Sequence, residues 1–303
     1  MIRVVSYQIS GVAWVPGRIA KILEGSDKVE FIALEAGLTE DYGLRSARVQ
    51  SVGRSGTPWR HALDRDADVF HIHHDRVAAT VLHEMKQVLA NRLPKFKTVV
   101  SIHGEPDRRL NNLLSDCDAF HMVNPGLLDL KSRHDIPRTV ILNHPGWDPD
   151  EEIMPIAKRE KVLVVPASKV AGYKNHDVMS KVAAILEKRG WKIEQNPAIV
   201  PNYMILNQLR TARACWVQLQ GYIDLLTMEC RALGCVPVVH DPLVHDPLGV
   251  TFNPLHSPET LADILCDDCL MKFYAVFGKE RARQRRTPDV RTEWENFYAE
   301  VVR

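Results

Sequence analysis

Residues 216–239, WVQLQGYIDLLTMECRALGCVPVV, decide the fold of this chain. An apolar run leads into a polar loop, the loop opens a short helix that carries Glu229, and a turn at Gly234 leads to a buried strand, Val236–Val239. A helix that begins beyond the carboxyl end of a strand offers backbone N–H groups and a positive dipole end to an anion. Its carboxylate can accept hydrogen bonds from ribose hydroxyls, so the stretch indicates a nucleotide site. The alternative is an ordinary strand–helix–strand unit with a solvated glutamate.

Length and composition limit the classes of protein to consider. The 303 residues suffice for two domains, and the contents of 45% hydrophobic and 25% charged residues are typical of a soluble globular protein. A net charge of +1 provides no whole-molecule field for nucleic acid or an anionic membrane. No apolar run approaches the roughly 20 residues of a membrane span, and the N-terminus is typical of a first strand rather than a signal peptide. Six scattered cysteines favour reduced thiols, so we expect a cytoplasmic protein.

Short β-rich runs alternate with amphipathic runs of helix length, which predicts an α/β fold with parallel sheets covered by helices. In the first half the predicted strands are Val4–Ile9, Val29–Leu34, Asp68–His73, Thr98–Ile102, Ala119–Val123 and Thr139–Leu142, and the predicted helices are Arg18–Leu23, Ala78–Leu93, Arg108–Leu114 and Gly126–His134. The second half repeats the pattern with strands Lys161–Pro166, Lys192–Gln195, Cys215–Leu219 and Val236–Val239, and helices His176–Arg189, Tyr203–Ala212, Pro258–Leu265 and from Met271 onward.

A segment rich in proline and charge, residues 143–161, separates the two halves and is typical of a linker. We therefore expect a first domain over residues 1–150, a second over residues 151–285, and a final helix over residues 286–303. Cys266 and Cys269 form an isolated C-x-x-C without a second ligand pair, so we interpret them as thiols at helical spacing rather than a zinc site.

Several polar or small residues follow predicted strands, where ligands of such sheets bind. Gly11 follows the first strand, and His103 with Gly104 follows Thr98–Ile102. His71 and His73 share one face of their strand and His74 lies just beyond it, so we expect histidines packed near the cleft rather than a metal site. In the second half, Lys169 and Lys174 lie on a loop after a strand and could both reach a diphosphate, the alternative being a solvated basic loop.

These stretches resemble, in the same order, motifs of the GT-B glycosyltransferases, and within them the retaining family 4. The resemblance covers most of the chain. Asp68–His73 is similar to the family's DVVHxH strand, and Val99–Gly104 to its xxTxHG; the other similar stretches are Val140–Asp148, Ala167–Lys174, Gly221–Val239 and the Trp-bearing end Glu293–Tyr298. The resemblance implies two Rossmann-like domains facing a central cleft, with the final helix crossing back to the first domain.

The resemblance also implies roles for individual residues. Lys174, together with Ser168 and Lys169, would contact the diphosphate, and backbone N–H groups of Leu226 and Thr227 would cap it. Glu229 would bind the ribose and His103 would face the transferred sugar, while Gly11, His73 and Gly104 would line the acceptor side. In one departure from the family, Gly221 stands where the first glutamate of the paired-Glu motif is expected. Asp224 is a possible substitute for that glutamate. A second is lysine where arginine is usual, which cannot make the same bidentate contact.

The predicted reaction is glycosyl transfer from a nucleoside diphosphate sugar, with a UDP-sugar favoured, to an acceptor hydroxyl. The donor is a co-substrate, no further cofactor is implied, and no Asp-x-Asp motif in a donor-like setting indicates a metal. We expect a glycan, a lipid-linked or a small-molecule acceptor.

Two alternatives remain. Basic residues in the first half and in the run 279–286 leave open a phage-type DNA glycosyltransferase acting on hydroxymethylated bases. The glycine at position 221 leaves open an epimerase-like or degenerate binding protein of the same architecture. An NAD-dependent enzyme is disfavoured because no G-x-G-x-x-G follows any strand.

Overall fold

The computed structural model describes residues 1–9, 14–36, 49–52, 57–73, 75–89, 94–102, 116–122, 139–141, 153–166, 176–196, 202–217, 225–240, 250–252, 257–284 and 287–303. The chain divides into two compact units. The first combines Met1–Pro145 with Thr287–Arg303, and the second is Gly146–Arg286. Each unit contains one parallel sheet.

The sheet of the first unit has the strand order β3-β2-β1-β4-β5-β6-β7. Its strands are β1 (Ile2–Ile9), β2 (Val29–Ala36), β3 (Val49–Val52), β4 (Val69–His73), β5 (Lys97–Ile102), β6 (Ala119–Met122) and β7 (Thr139–Ile141). The described helices of this unit are α1 (Trp14–Ile22), α2 (Pro58–Asp64), α3 (Asp75–Val88) and the last helix of the chain, α9 (Thr287–Val302). The order reverses between β1 and β4, and this is the switch point of the first sheet.

Alternate side chains of these strands build two separate cores. Val5, Phe70 and Val100 belong to a core that also contains residues of α2 and α3. On the other face, Val4 and Val69 pack with residues of α1 and α9. Burial on both faces explains why successive residues such as Val4 and Val5, or Val69 and Phe70, are both apolar.

Polar contacts hold α9 against the end of α1 and the segment before β2. Arg291 donates through Nε to the carbonyl oxygen of Ile22 at 2.7 Å, at the C-terminal end of α1. The carboxylate of Glu295 accepts hydrogen bonds from Ser26 Oγ at 2.7 Å and from Lys28 Nζ at 3.0 Å. Burial alone would raise the pKa of the Glu295 carboxyl, but these hydrogen bonds together with the charges of Lys28 and Arg291 outweigh burial and lower the pKa.

The sheet of the second unit has the order β12-β11-β10-β8-β9. Its strands are β8 (Glu160–Val165), β9 (Lys192–Gln195), β10 (Ala212–Val217), β11 (Val236–His240) and β12 (Val250–Phe252). The described helices are α4 (His176–Lys188), α5 (Asn202–Thr211), α6 (Leu225–Leu233), α7 (Pro258–Cys266) and α8 (Asp268–Arg283), and Ile156–Lys158 forms a 3-10 turn. The order reverses between β8 and β10, so the switch point of this sheet lies between them.

The structure adds elements that the sequence did not predict, and corrects others. β3, α2 and β12 were not predicted, and β10 begins at Ala212, three residues earlier than expected. Within the predicted linker, β8 already begins at Glu160. The predicted helices at 108–114 and 126–134 lie outside the described residues. In the part of the chain that is described, no helix has both the length and the apolar character needed to cross a membrane.

The interpretation of Cys266 and Cys269 as thiols spaced on one helix is wrong. Cys266 ends α7, whereas Cys269 lies in the first turn of α8. Asp267 separates the two helices because its carboxylate accepts hydrogen bonds from the backbone N–H groups of Cys269 and Leu270, at 2.8 and 3.0 Å. This is an N-cap, and it starts α8 at Asp268, three residues before the predicted start at Met271.

Candidate functional site

The switch point of the second sheet places one helix terminus at the edge where ligands of such sheets bind. β8 and β10 are parallel neighbours, with Val164 opposite Cys215, and they end at Val165 and Val217. Ligands of open α/β sheets bind beyond the carboxyl ends of the strands at the switch point. The next described element after β10 is α6, which begins at Leu225.

Three of the predicted site residues lie on α6. Leu226 and Thr227 are in its first turn, where backbone N–H groups have no partner within the helix. Glu229 follows at the start of the second turn and is completely buried. A carboxylate withdrawn from water requires hydrogen-bonding groups around it, and a helix N-terminus favours an anion. The helix therefore combines a terminus suited to an anion with a buried carboxylate, a hydrogen-bond acceptor, in its second turn.

A buried arginine that the sequence analysis did not single out fixes the other end of α6. Arg159 lies immediately before β8 and donates through Nη1 to the carbonyl oxygens of Leu209 and Ala212, at 2.9 and 2.8 Å. Its Nε donates to the carbonyl oxygen of Met154 at 2.9 Å, and its Nη2 donates to that of Leu233. Burial lowers the pKa of the Arg159 guanidinium. One cation thus satisfies the ends of α5 and α6, where carbonyl groups lack intrahelical partners.

Gly234 makes this close approach possible. It has φ +72°, in the left-handed region, directly after α6. A Cβ atom at this position would lie 2.2 Å from Cγ2 of Ile153 and 3.0 Å from Nη2 of Arg159. The glycine predicted as a turn is therefore required twice, for its backbone conformation and for the space it leaves.

In the first unit, a chain of buried hydrogen bonds links β4, β5, β6 and α9. Tyr298 Oη lies 2.8 Å from Nδ1 of His71, and Nε2 of His71 lies 2.7 Å from Ser101 Oγ. Ser101 Oγ lies 2.7 Å from Nδ1 of His121. Burial lowers the pKa of His71 well below 6.5, and neighbouring His121 lowers it further. Burial also raises the pKa of Tyr298 well above 10.

This network assigns a structural role to His71. Both of its ring nitrogens face hydroxyl groups, which leaves neither for a metal ion. Among the described residues there is also no group of three or more His, Cys, Asp and Glu side chains that could hold a metal.

His73 lies at the carboxyl end of β4, beside the switch point of the first sheet, and is completely buried. Its ring stacks on that of His71, with centroids 4.2 Å apart and an interplanar angle of 28°. The remaining predicted site residues lie outside the described residues. They are His103 and Gly104, Gly11 and His74, Ser168, Lys169 and Lys174, and Asp224.

No family model and no curated protein sequence matches the chain. Its structure is similar to a glycosyltransferase from Rickettsia africae ESF-5, with 12% identity, a TM-score of 0.67, and coverage of 100% of this chain and 99% of that one. It is also similar to a mutant of S. aureus TarM in complex with fondaparinux, alpha-GlcNAc-glycerol and UDP, with 7% identity, a TM-score of 0.67, and coverage of 98% and 100%.

A third similar structure is the catalytic domain of starch synthase IV from Arabidopsis thaliana bound to ADP and acarbose. The identity is 9%, the TM-score 0.66 and the coverage 99% of both chains. Three further structures are longer, and the chain spans 54%, 59% and 60% of their lengths. These similarities show that the chain has the fold of GT-B glycosyltransferases. Membership in the retaining family 4 stays a prediction.

Proposed function

We propose that the protein is a glycosyltransferase that moves a sugar from a nucleoside diphosphate sugar, with a UDP-sugar favoured, to an acceptor hydroxyl. The observation that carries this proposal is the completely buried Glu229 on α6, a helix that follows β10 at the switch point of the second sheet. A nucleotide presents a diphosphate and two ribose hydroxyls, which are the groups that a helix N-terminus and a carboxylate bind. Two neighbours with this fold hold UDP or ADP, which supports the same substrate class.

In the proposed mechanism, the backbone N–H groups of Leu226 and Thr227 donate to the diphosphate, and Glu229 accepts from the ribose. Negative charge grows on the departing diphosphate as the bond to the anomeric carbon breaks. Donors that are already in position stabilise that charge without reorganisation. Lys174, assisted by Ser168 and Lys169, supplies positive charge to the same group, and the reaction proceeds without a metal ion.

The remaining predicted residues complete the proposal. Asp224 substitutes for the glutamate absent at position 221 and contacts the donor. His103 faces the transferred sugar, and Gly11, His73 and Gly104 line the acceptor side. We propose a glycan, lipid-linked or small-molecule acceptor. Fondaparinux and acarbose, bound in two neighbours, are carbohydrate ligands, whereas no observation on the described residues favours DNA.

The role of Glu229 is tested by removing the hydroxyls it is proposed to bind. Calorimetry compares UDP with its dideoxyribose analogue, on the unaltered protein and on Glu229→Gln. Hydrogen bonds to a carboxylate contribute about 1.5–3 kcal/mol, so the unaltered protein is expected to prefer UDP by at least about tenfold. Glu229→Gln is expected to lose this preference, whereas Glu187→Gln, at an exposed position on α4, is expected to keep it. Equal discrimination by all three proteins would remove Glu229 from the ribose site.

A transfer assay separates the proposal from the second reading, an epimerase-like or degenerate binding protein. That reading is favoured by the glycine at position 221. The assay measures UDP release from UDP-sugars, with and without a panel of glycan, lipid-linked and small-molecule acceptors. Acceptor-dependent release supports a transferase, whereas conversion of the sugar nucleotide without acceptor supports an epimerase. Tight UDP binding without either reaction supports a binding protein.

A further inference from the structure

Helix α8 exposes a row of large apolar side chains that nothing else in the described chain covers. Phe273 and Phe277 are each 47% exposed, Val276 is 56% exposed and Leu270 is 39% exposed. Residues three and four apart are neighbours on a helix, and the rings of Phe273 and Phe277 are in contact, with centroids 4.5 Å apart. We call these four residues the outer face of α8.

The opposite face of the same helix anchors it in the second unit. Met271, Gly278 and Ala282 are buried. Gly278 lets α8 approach α6 closely, because a Cβ atom there would lie 3.2 Å from Cγ of Arg231. Because this buried face is well packed, α8 is held with its outer face exposed. A contiguous exposed apolar patch on such a helix marks an interaction surface.

Positive charge flanks the outer face. Lys272, Arg281 and Arg283 are exposed side chains on α8, and Arg283 forms an ion pair with Glu280 at 3.4 Å. The sequence continues this charge through the run KERARQRR, residues 279–286, which contains five cations and one glutamate. The whole chain has a net charge of only +1, so this basic character is local.

We propose that the outer face of α8 binds the surface of an anionic lipid bilayer. Helices that lie in the membrane interface carry Phe or Leu on one face and Lys or Arg beside it. The apolar rings enter the boundary between headgroups and acyl chains. The basic side chains extend their apolar stems along the same surface and place their charges among the phosphates.

The charge pattern argues against a second copy of the chain as the occupant. A two-fold interface brings the same surface of both subunits together. Face-to-face packing of two α8 helices would bring the basic residues of one helix, Lys272, Arg281 and Arg283, near those of the other, where like charges repel. An anionic bilayer instead offers acyl chains to the outer face and phosphates to the basic side chains beside it.

Sedimentation with vesicles tests the proposal on the full chain without any nucleotide. The vesicles contain phosphatidylcholine alone, or equal parts of phosphatidylcholine and phosphatidylglycerol. The unaltered protein is expected to sediment with the anionic vesicles and not with the neutral ones. Phe273→Ser with Phe277→Ser is expected to weaken vesicle affinity by at least about tenfold. The matched control, Met154→Ser with Met204→Ser, removes two exposed apolar side chains of the same unit and is expected to bind like the unaltered protein.

A second pair of variants tests the charge without touching the aromatic rings. Each basic residue near an anionic membrane contributes about 1 kcal/mol, so Arg281→Gln with Arg283→Gln is expected to weaken binding by about twentyfold or more. Lys181→Gln with Lys188→Gln makes the same change of charge at exposed positions on α4 and is expected to have little effect. High salt is expected to weaken binding of the unaltered protein.

Three results would overturn the proposal. The first is absence of sedimentation with anionic vesicles, and the second is unchanged binding by both the serine and the glutamine variants. The third comes from light scattering: a dimer that the serine variant converts to a monomer would show that a second copy covers the face. Because no nucleotide takes part, each result is independent of the proposed transferase activity.

Discussion

The guanidinium of Arg159 donates a hydrogen bond to the backbone carbonyl of Leu233, the last residue of the helix that carries Glu229. The same side chain binds the carbonyl oxygens of Leu209 and Ala212 at 2.9 and 2.8 Å. Because Arg159 immediately precedes β8, one residue connects a central strand with the ends of two helices. The orientation of the proposed nucleotide helix therefore depends on its C-terminal attachment.

Substitution of Arg159 is expected to lower the free energy of unfolding by on the order of 3 kcal/mol, because Arg159→Met leaves buried carbonyl groups without donors. The free energy of unfolding of Arg159→Lys is expected to lie between those of Arg159→Met and the unaltered protein, since an ammonium group cannot reproduce the planar set of donors. Urea unfolding measures both. Arg210→Met is the control, because Arg210 is exposed on α5. Equal unfolding midpoints for Arg159→Met and the unaltered protein would contradict this structural role.

Gly234 and Gly190 distinguish two reasons why a position requires glycine, its backbone conformation and the space around its Cα atom. Both have left-handed backbones, with φ +72° and +79°, but a Cβ atom would meet nothing within 4 Å at Gly190. Gly190→Ala is expected to cost about 1 kcal/mol, from the backbone alone. Gly234→Ala adds the overlap with Ile153, so we expect a further 1–3 kcal/mol, roughly the cost of overpacking. Chemical denaturation measures the free energy of unfolding of both variants. Equal losses would show that the Ile153 side chain moves aside without a cost in free energy.

The strands and the helix that carries Glu229 were predictable because their signals are local. Val162–Val165 and Val217 belong to apolar runs, which parallel strands buried on both faces produce. The strands that were missed are short, four residues in β3 and three in β12, and each lies at the edge of its sheet. A polar sequence such as VQSV in β3 carries no clear alternation of core and solvent.

The contacts that fix the candidate site were not predictable from local patterns. Arg159 lies in a stretch that reads as a charged linker, and its partner Leu233 is 74 residues away. His71 and Tyr298 are 227 residues apart. Neither arginine in a polar segment nor histidine in a strand indicates by itself which distant group it meets. Only the completed sheet brings these partners together.

Tyr298→Phe tests the connection between α9 and β4. The substitution removes only the hydroxyl that lies 2.8 Å from His71 Nδ1. A buried polar atom that loses its partner costs about 1–3 kcal/mol, and we expect a loss of free energy of unfolding in that range. Tyr274→Phe on α8 is the control, because the Tyr274 side chain is only partly buried. A double substitution with His71→Gln should show a smaller loss than the sum of the two single losses. Strictly additive losses would mean that the two side chains do not interact.

The buried His71 should make folding stability depend on pH in the weakly acidic range. Burial and His121 lower the pKa of His71 well below 6.5 in the folded protein, and the other titratable side chains in contact with it are His73 and Tyr298. Below pH 6.5 the unfolded chain therefore binds a proton that the folded chain excludes. Stability rises with pH wherever the unfolded state binds more protons, so the contribution is complete above 6.5 and is lost as the pH falls toward the folded-state pKa.

The expected slope from this one group is at most about 1.4 kcal/mol per pH unit. Urea unfolding between neutral pH and about pH 5 measures it. His71→Gln is expected to flatten the pH dependence even if the variant is less stable throughout, whereas His83→Gln, at an exposed position on α3, is expected to leave the slope unchanged. Parallel pH profiles for His71→Gln and the unaltered protein would place the titrating group elsewhere. A flattened profile would identify the contact between the sheet and α9 as the region where acid first destabilises the first unit.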